Sequence, residues 1–257
     1  MTEPAPGVWV YAICPAVDDR LLAEVRGVDD EILRHVRAGD LMAVVGSVDR
    51  ERFGADGLRR SLNDLDKLAA IARAHHAVVE AAARVRPTAP ARLATVYDDD
   101  DRVREMLAVH RDAFAAALDH VTGRQEWGVK AYGRARSDVA NGSDERAPMT
   151  GTAYLRQRRA ALSARDASRR EVIAGAEAIH ERLAALAVDA GRHRPQDPQL
   201  SGDPRPMVLN DAYLVANDDA EKFAQAVSVL AGAHPELSVE LTGPWPPYSF
   251  AVIEVAP

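Results

Sequence analysis

The sequence predicts an α+β fold in two domains, on three observations. At 257 residues the chain exceeds one ordinary domain. Short apolar runs of strand length alternate along it with segments of helical periodicity. Hydrophobic residues make up 47% of it but aromatics only 5%, so Ala, Val and Leu must fill the cores, which suits helices packed closely on sheets.

Val8–Ile13 is a run of β-branched, aromatic and aliphatic residues closed by Pro15, and reads as a buried strand. Leu41–Val45, after Gly39-Asp40, reads as a second. Leu21–Gly27 fits neither period. From Leu58 to Val85 the period becomes helical, with Leu68, Ile71, His75, Val78, Ala82 and Val85 on one stripe, until Pro87 and Pro90 stop it. Arg92–Tyr97 is a further strand candidate. The run Asp98–Asp101 is placed to cap a helix whose inner face is Val103, Leu107, His110, Phe114, Ala117 and Val121. Gly123 ends that helix and marks the expected boundary between domains 1–122 and 123–257.

In the second domain Glu126–Tyr132 alternates as a strand, and residues 134–150, polar and aperiodic, read as a mobile loop. Ala153–Ala190 is a long helix with Val172, Ile173, Ala176, Ile179, Leu183 and Leu186 as its stripe, and 191–206 is a loop. Val208–Ala216, a helix over Asp218–Gly232 capped by Asp218, and strands at Leu237–Leu241 and Phe250–Val255 complete the order. Strand, long helix, strand, helix, strand is compatible with a ferredoxin-like sandwich carrying added helices.

The net charge of −7 argues against nucleic acid or an anionic membrane as the main partner. A single cysteine, Cys14, excludes an intramolecular disulfide and a cysteine-based zinc cage; its place at the end of the first strand predicts a buried thiol. No run approaches the roughly 18 apolar residues of a membrane span, and residues 1–7 show no signal-peptide pattern, so a cytoplasmic protein is expected.

Candidate chemistry is thin. His75 and His76 are adjacent on a helix and point about 100° apart, so they cannot chelate from one face. The Asp98–Asp101 run lacks the spacing of a calcium loop. No nucleophile elbow, phosphate loop, dinucleotide fingerprint or H-E-x-x-H is present. No catalytic, cofactor-binding or metal-binding residue is therefore assigned, and no cofactor or small-molecule substrate is expected. The one concentrated basic patch is Arg156, Arg158, Arg159, Arg165, Arg169 and Arg170, opposed by Asp166. Without interleaved aromatics to stack bases, it reads as a solvated or protein-docking helix face rather than a nucleic-acid site.

The C-terminal block Leu241-Thr-Gly-Pro-Trp-Pro-Pro-Tyr-Ser-Phe250 is conformationally the most restricted stretch. Gly243 permits a positive φ, while Pro244, Pro246 and Pro247 fix φ and remove donors. Trp245 is expected to pack largely inside the second domain.

Read in order, the landmarks resemble the GvpF/GvpL family of gas vesicle proteins. They are the first strand with Tyr11, Ala74-His-His-Ala-Val78, Pro90-x-Arg92-Leu-Ala-Thr-Val-Tyr97, Glu126-Trp-Gly-Val-Lys130, Gly151-Thr-Ala-Tyr-Leu155 and Gly243-Pro-Trp-Pro-Pro-Tyr-Ser-Phe250. Ala91 departs from the apolar, Leu-like residue expected there. The resemblance implies a non-enzymatic accessory protein associated with the gas vesicle, binding its hydrophobic shell subunit, other accessory proteins, or both. It makes Arg92, Trp127, Lys130, Gly243, Trp245 and Tyr248 family-motif residues of structural character. The shell-subunit contact is expected in domain 1–122, and the arginine helix is expected to meet other accessory proteins. A small-molecule-binding regulatory protein on the same ferredoxin-like fold is the alternative.

Overall fold

The computed structural model describes residues 6–16, 25–54, 57, 64–134, 151–196 and 204–251. The chain forms two compact units, Met1–Glu126 with Pro244–Pro257, and Trp127–Gly243. This division differs from the expected 1–122 and 123–257 chiefly at the C-terminus, where the end of the chain returns to the first unit.

The first unit opens with β1 (Pro6–Pro15), β2 (Arg34–Ala38) and β3 (Leu41–Asp49), followed by the short α1 (Arg50–Phe53) and α2 (Leu65–Ala83). Two short strands follow, β4 (Ala89–Pro90) and β5 (Val96–Tyr97), then α3 (Asp100–Val109) and α4 (Arg111–Val121). The antiparallel sheet runs β2-β3-β1-β4, with β5 also paired to β1. Strand β1 is buried from Val8 to Cys14, as a strand covered on both faces must be. Its pairing with β3 slips at Tyr11, between Val10–Val45 and Ala12–Val44. This bulge changes the phase of the strand, so Trp9, Tyr11, Ala12 and Cys14 all join one core cluster with Ile71, Val78, Val79 and Ala82 of α2. Cys14 is buried as expected, and burial pushes its thiol up to about 11.

Several elements depart from the sequence expectations for identifiable reasons. Helix α2 begins at Leu65, where the Asp64 carboxylate accepts the Lys67 N–H at 3.1 Å; residues 58–63 lie outside the described residues. The helix expected after the acidic run is broken at His110 into α3 and α4, which lets Met106 and Leu107 on one side and Phe114 and Leu118 on the other all reach the core. Asp99 caps α3, accepting the Arg102 N–H at 2.9 Å. Within Arg92–Tyr97 only Val96–Tyr97 pairs, because 91–95 makes a turn in which Ala94 takes φ +70°. Strand β2 went unread because Arg34-His-Val-Arg-Ala38 alternates too weakly at a sheet edge.

The second unit holds most of β6 (Arg124–Gly133), then α5 (Gly151–Ala184), β7 (Asp189–Arg192), β8 (Met207–Ala216), a 3-10 turn (Asn217–Asp219), α6 (Ala220–Ala233) and most of β9 (Leu237–Trp245). Its antiparallel sheet is ordered β7-β8-β6-β9. The long helix ends at Ala184, short of the expected Ala190, and Asp189-Ala-Gly-Arg192 pairs with β8 instead of opening a loop. Asp218 lies in the 3-10 turn and does not cap α6, whose N-terminus has no side-chain cap among the described residues. The mobile-loop expectation at 134–150 falls, beyond Arg134, outside the described residues, as does most of the strand expected at 250–255. Phe250 itself lies in a turn.

The core of this unit is Val129, Ala131, Val172, Ala176, Ile179, Leu183, Leu209, Tyr213, Val215, Phe223, Val227 and Leu237. It also buries a polar triad. His180 Nδ1 lies 2.7 Å from Asp211 Oδ2, and the Tyr213 hydroxyl donates to the same carboxylate at 3.2 Å. Sharing donors is how a buried carboxylate offsets its desolvation.

Candidate functional site

The candidate site is an apolar hollow of about 330 Å3 in the first unit. It is lined by Ala72, His75 and His76 of α2, by Ala91, Arg92 and Leu93 of the turn before β5, and by Tyr248 of the returning C-terminal segment. Each wall has a local cause.

His75 is fixed from both sides. The Trp9 indole N–H donates to its Nδ1 at 3.0 Å, so the ring proton sits on Nε2, 3.2 Å from the Ala91 carbonyl oxygen. The residue is 3% exposed, and burial lowers its pKa to about 4, keeping the ring neutral. Main-chain bonds fix the turn on the other wall. Ala91 N–H donates to the Tyr11 carbonyl at 2.9 Å, and the Arg92 carbonyl accepts from both the Thr95 N–H and the Thr95 hydroxyl. The bulged residue Tyr11 is itself tied down, its hydroxyl donating to Glu31 Oε1 and accepting the Val28 N–H at 2.8 Å.

The third wall is the proline block. Pro246 and Pro247 are buried, and the chain turns through bonds from Tyr248 N–H to the Pro246 carbonyl and from Ala251 N–H to the Pro247 carbonyl. Glu126, 7% exposed, clamps this turn: its two carboxylate oxygens accept the Ser249 N–H and the Ser249 hydroxyl, each at 2.7 Å. The clamp holds Tyr248 stacked on His76, with 5.9 Å between centroids and the hydroxyl 3.2 Å from His76 Nδ1. Burial raises the Tyr248 pKa above its ordinary value. Trp245 stands edge-on to His76 at 5.7 Å.

The sequence-predicted residues distribute as follows. Tyr248 and Arg92 line the hollow, and Trp245 adjoins it. Trp245 is 44% exposed, which corrects the expectation that it packs inside: the chain leaves the second unit at Gly243, with φ +117°, and carries the indole onto the first. Trp127 packs against the second core, and Lys130 Nζ donates to Gln196 Oε1 at 3.3 Å. Arg156, Arg158, Arg159, Arg165 and Arg169 lie on α5 with their side chains exposed. Glu126 and Ser249 were missed as partners, although both belong to quoted motif blocks, because 123 residues separate them. Among the described residues no group of three or more His, Cys, Asp and Glu is placed to hold a metal ion. Nor is any helix there long and apolar enough to cross a membrane.

The hollow therefore gathers segments from three distant parts of the chain, and its chemistry is that of contact. Both ring nitrogens of His75 are engaged, as are both oxygens of Glu126.

The family model described as "Gas vesicle synthesis protein GvpL/GvpF" matches residues 7–252. The chain belongs to the GvpL/GvpF family. It is 41% identical over 248 residues to gas vesicle protein L of a Streptomyces species, covering 95% of this chain and 92% of that one. Two crystal structures of GvpF share the fold. The protein from Anabaena sp. PCC7120 superposes with a TM-score of 0.69 at 19% identity, over 97% of this chain and 98% of that one. The protein from Microcystis aeruginosa gives 0.64 at 17% identity, over 95% and 98%. Membership gives this GvpL/GvpF protein an accessory role in the gas vesicle. Around the hollow five of the blocks that carry the resemblance come together: Tyr11 of the first strand, the histidine helix, the Pro90–Tyr97 block, Glu126 and the proline block.

Proposed function

We propose that the chain is a non-enzymatic assembly factor that receives the hydrophobic shell subunit of the gas vesicle on the apolar hollow of the first unit. The observation that carries this reading is the convergence just described. Leu93 and Trp245 remain substantially exposed beside a concave surface on which both ring nitrogens of His75 and the Tyr248 hydroxyl are already engaged. Exposed apolar surface rimming a hollow is the usual form of a protein contact, because covering it releases water without stranding a donor or acceptor. A subunit that polymerises through hydrophobic faces needs such cover until it reaches the growing shell. Binding energy of this type concentrates in a few aromatic anchors, a role that Trp245 and Tyr248 fit.

The second unit serves in this reading as the scaffold that presents other contacts, with a ferredoxin-like core. Supporting that description are the element order β6-α5-β7-β8-α6-β9 and the strand order β7-β8-β6-β9.

The test uses the full chain, since Glu126 and the proline block complete the first unit and a fragment 1–122 would lack both. The double variant Leu93→Ser/Trp245→Ala should fail to co-purify with the shell subunit while keeping its melting temperature. Retention of the subunit by this variant would overturn the assignment of the hollow.

A further inference from the structure

The leading half of α5 is a helix surface that the described residues of its own unit leave uncovered. From Val172 onward the helix buries Val172, Ala176, Ile179 and Leu183. Before that point nearly every described side chain from Thr152 to Glu171 is exposed, including Leu155 at 63% and Leu162 at 53%. Leu155, Leu162 and Ile173 are spaced by seven and eleven residues, close to two and three turns at about 3.6 residues each, so they form one straight stripe. The stripe lies about a quarter-turn from the buried face, at roughly 100° per residue. Arginines border it on both sides: Arg158 and Arg169 toward the core face, Arg165 in line with that face, and Arg159 and Arg170 on the far edge.

Between Thr152 and Glu171 this surface carries six arginines against two carboxylates, in a chain whose net charge is −7. The contrast with the packed half is direct, because there Arg192 pairs with Glu177 at 2.5 Å. An apolar stripe framed by guanidinium groups is complementary to an amphipathic helix whose apolar stripe is framed by carboxylates. A second copy of this chain does not fit, since two such stripes face to face would set arginine against arginine.

We propose that the Leu155–Leu162–Ile173 stripe of α5 is a docking site for an acidic amphipathic helix of another protein. The site is separate from the hollow, and its occupant is defined by chemistry: leucine-like residues at helical spacing, flanked by Glu or Asp. The planar, bidentate guanidinium groups select carboxylates, and the leucines supply the desolvated contact that a purely ionic surface lacks.

The experiment measures fluorescence anisotropy of a labelled synthetic helix of about 21 residues, three heptads, with Leu at the a and d positions and Glu at e and g, added to the full-length protein. A counterpart with Lys at e and g is the control. The acidic helix should bind with a Kd on the order of micromolar, weakening as salt is raised, and the lysine helix should not. Arg158→Glu/Arg165→Glu/Arg169→Glu and, separately, Leu155→Ser/Leu162→Ser should each weaken binding about tenfold or more while leaving the melting curve unchanged. The proposal is overturned by absence of binding, by equal binding of the two helices, or by indifference to either variant. Complete displacement of the acidic helix by a single-stranded oligonucleotide or by anionic vesicles overturns it in favour of those ligands. A dimer in sedimentation that the Leu155→Ser/Leu162→Ser variant abolishes overturns it in favour of self-association.

Discussion

The hollow of the first unit and the leading half of α5 in the second both present apolar side chains to solvent, but they are built in opposite ways. The hollow is preorganised. Each of its walls is held by a hydrogen bond, Trp9 to His75, Ala91 to Tyr11, Ser249 to Glu126, so binding there orders little that is not already ordered. On α5 the helix itself is the scaffold, and the arginines beside its stripe are long side chains that a partner must immobilise. The hollow is suited to shape and apolar contact, the helix to charge-selected contact. A substitution among the buried groups that hold the hollow should accordingly affect folding, whereas one at its exposed rim or on the helix should affect only association.

The largest effect that could break this contrast is at the base of the hollow. Trp9→Ala removes a fully buried ring and leaves His75 without its donor, and should cost about 3–5 kcal/mol, read as loss of most of the cooperative thermal transition. Trp9→Phe should retain the transition at a lower temperature. If Trp9→Ala melts like the parent, the hollow is not preorganised in the way described.

Next comes pH. The folded-state pKa of His75, about 4, lies below its unfolded value of about 6.5. The unfolded chain therefore takes up the proton first as pH falls. Stability is fully present above about 6.5 and should decline by about 2 kcal/mol between roughly pH 7 and 5 from this residue alone. Denaturant titrations at the two pH values should show that decrement in the parent, and His75→Gln should lose it whatever its absolute stability.

Glu126→Gln tests the clamp. The amide keeps one acceptor for Ser249 but loses the charge, so about 1–2 kcal/mol should be lost, and the fluorescence of Trp245 should report release of the proline block. An unchanged spectrum would show that Pro246 and Pro247 hold the turn unaided.

The smallest effects sharpen the other side. Arg158→Glu/Arg159→Glu should change stability by less than about 0.5 kcal/mol, since both side chains are exposed. It should nevertheless weaken co-purification with acidic accessory partners. A large drop in melting temperature would mean that this half of α5 is packed rather than presented.

Much of the fold was legible in the sequence wherever burial is periodic. The α2 stripe through Ile71, His75, Val78 and Ala82, the α5 stripe through Val172, Ala176, Ile179 and Leu183, and β8 all follow spacings that the structure repeats. Ile173, expected on the α5 stripe, is instead 48% exposed, because it lies about a quarter-turn from the buried face. Elements without periodic burial escaped: β2 is an edge strand with a single buried residue, Val36, and β7 is four small or polar residues long. The break at His110 was invisible because the apolar spacing runs on through it. Of the hollow, Tyr248, Arg92 and the histidines could be singled out, but nothing in the spacing could bring them together.

By itself the sequence determined the family, the α+β character, the buried strand β1 and the restricted geometry of the proline block. Those follow from local chemistry: side-chain periodicity, φ restriction by proline, and motif blocks in collinear order. Only the tertiary structure decided which faces those elements turn. The bulge at Tyr11 puts Trp9, Tyr11, Ala12 and Cys14 in one cluster, a phase change that a uniformly apolar run cannot encode visibly. The return of residues 244–251 to the first unit likewise rests on the bond between Glu126 and Ser249, 123 positions apart. Which long-range pairs form is set by the summed burial of the whole chain, a quantity that no local window contains.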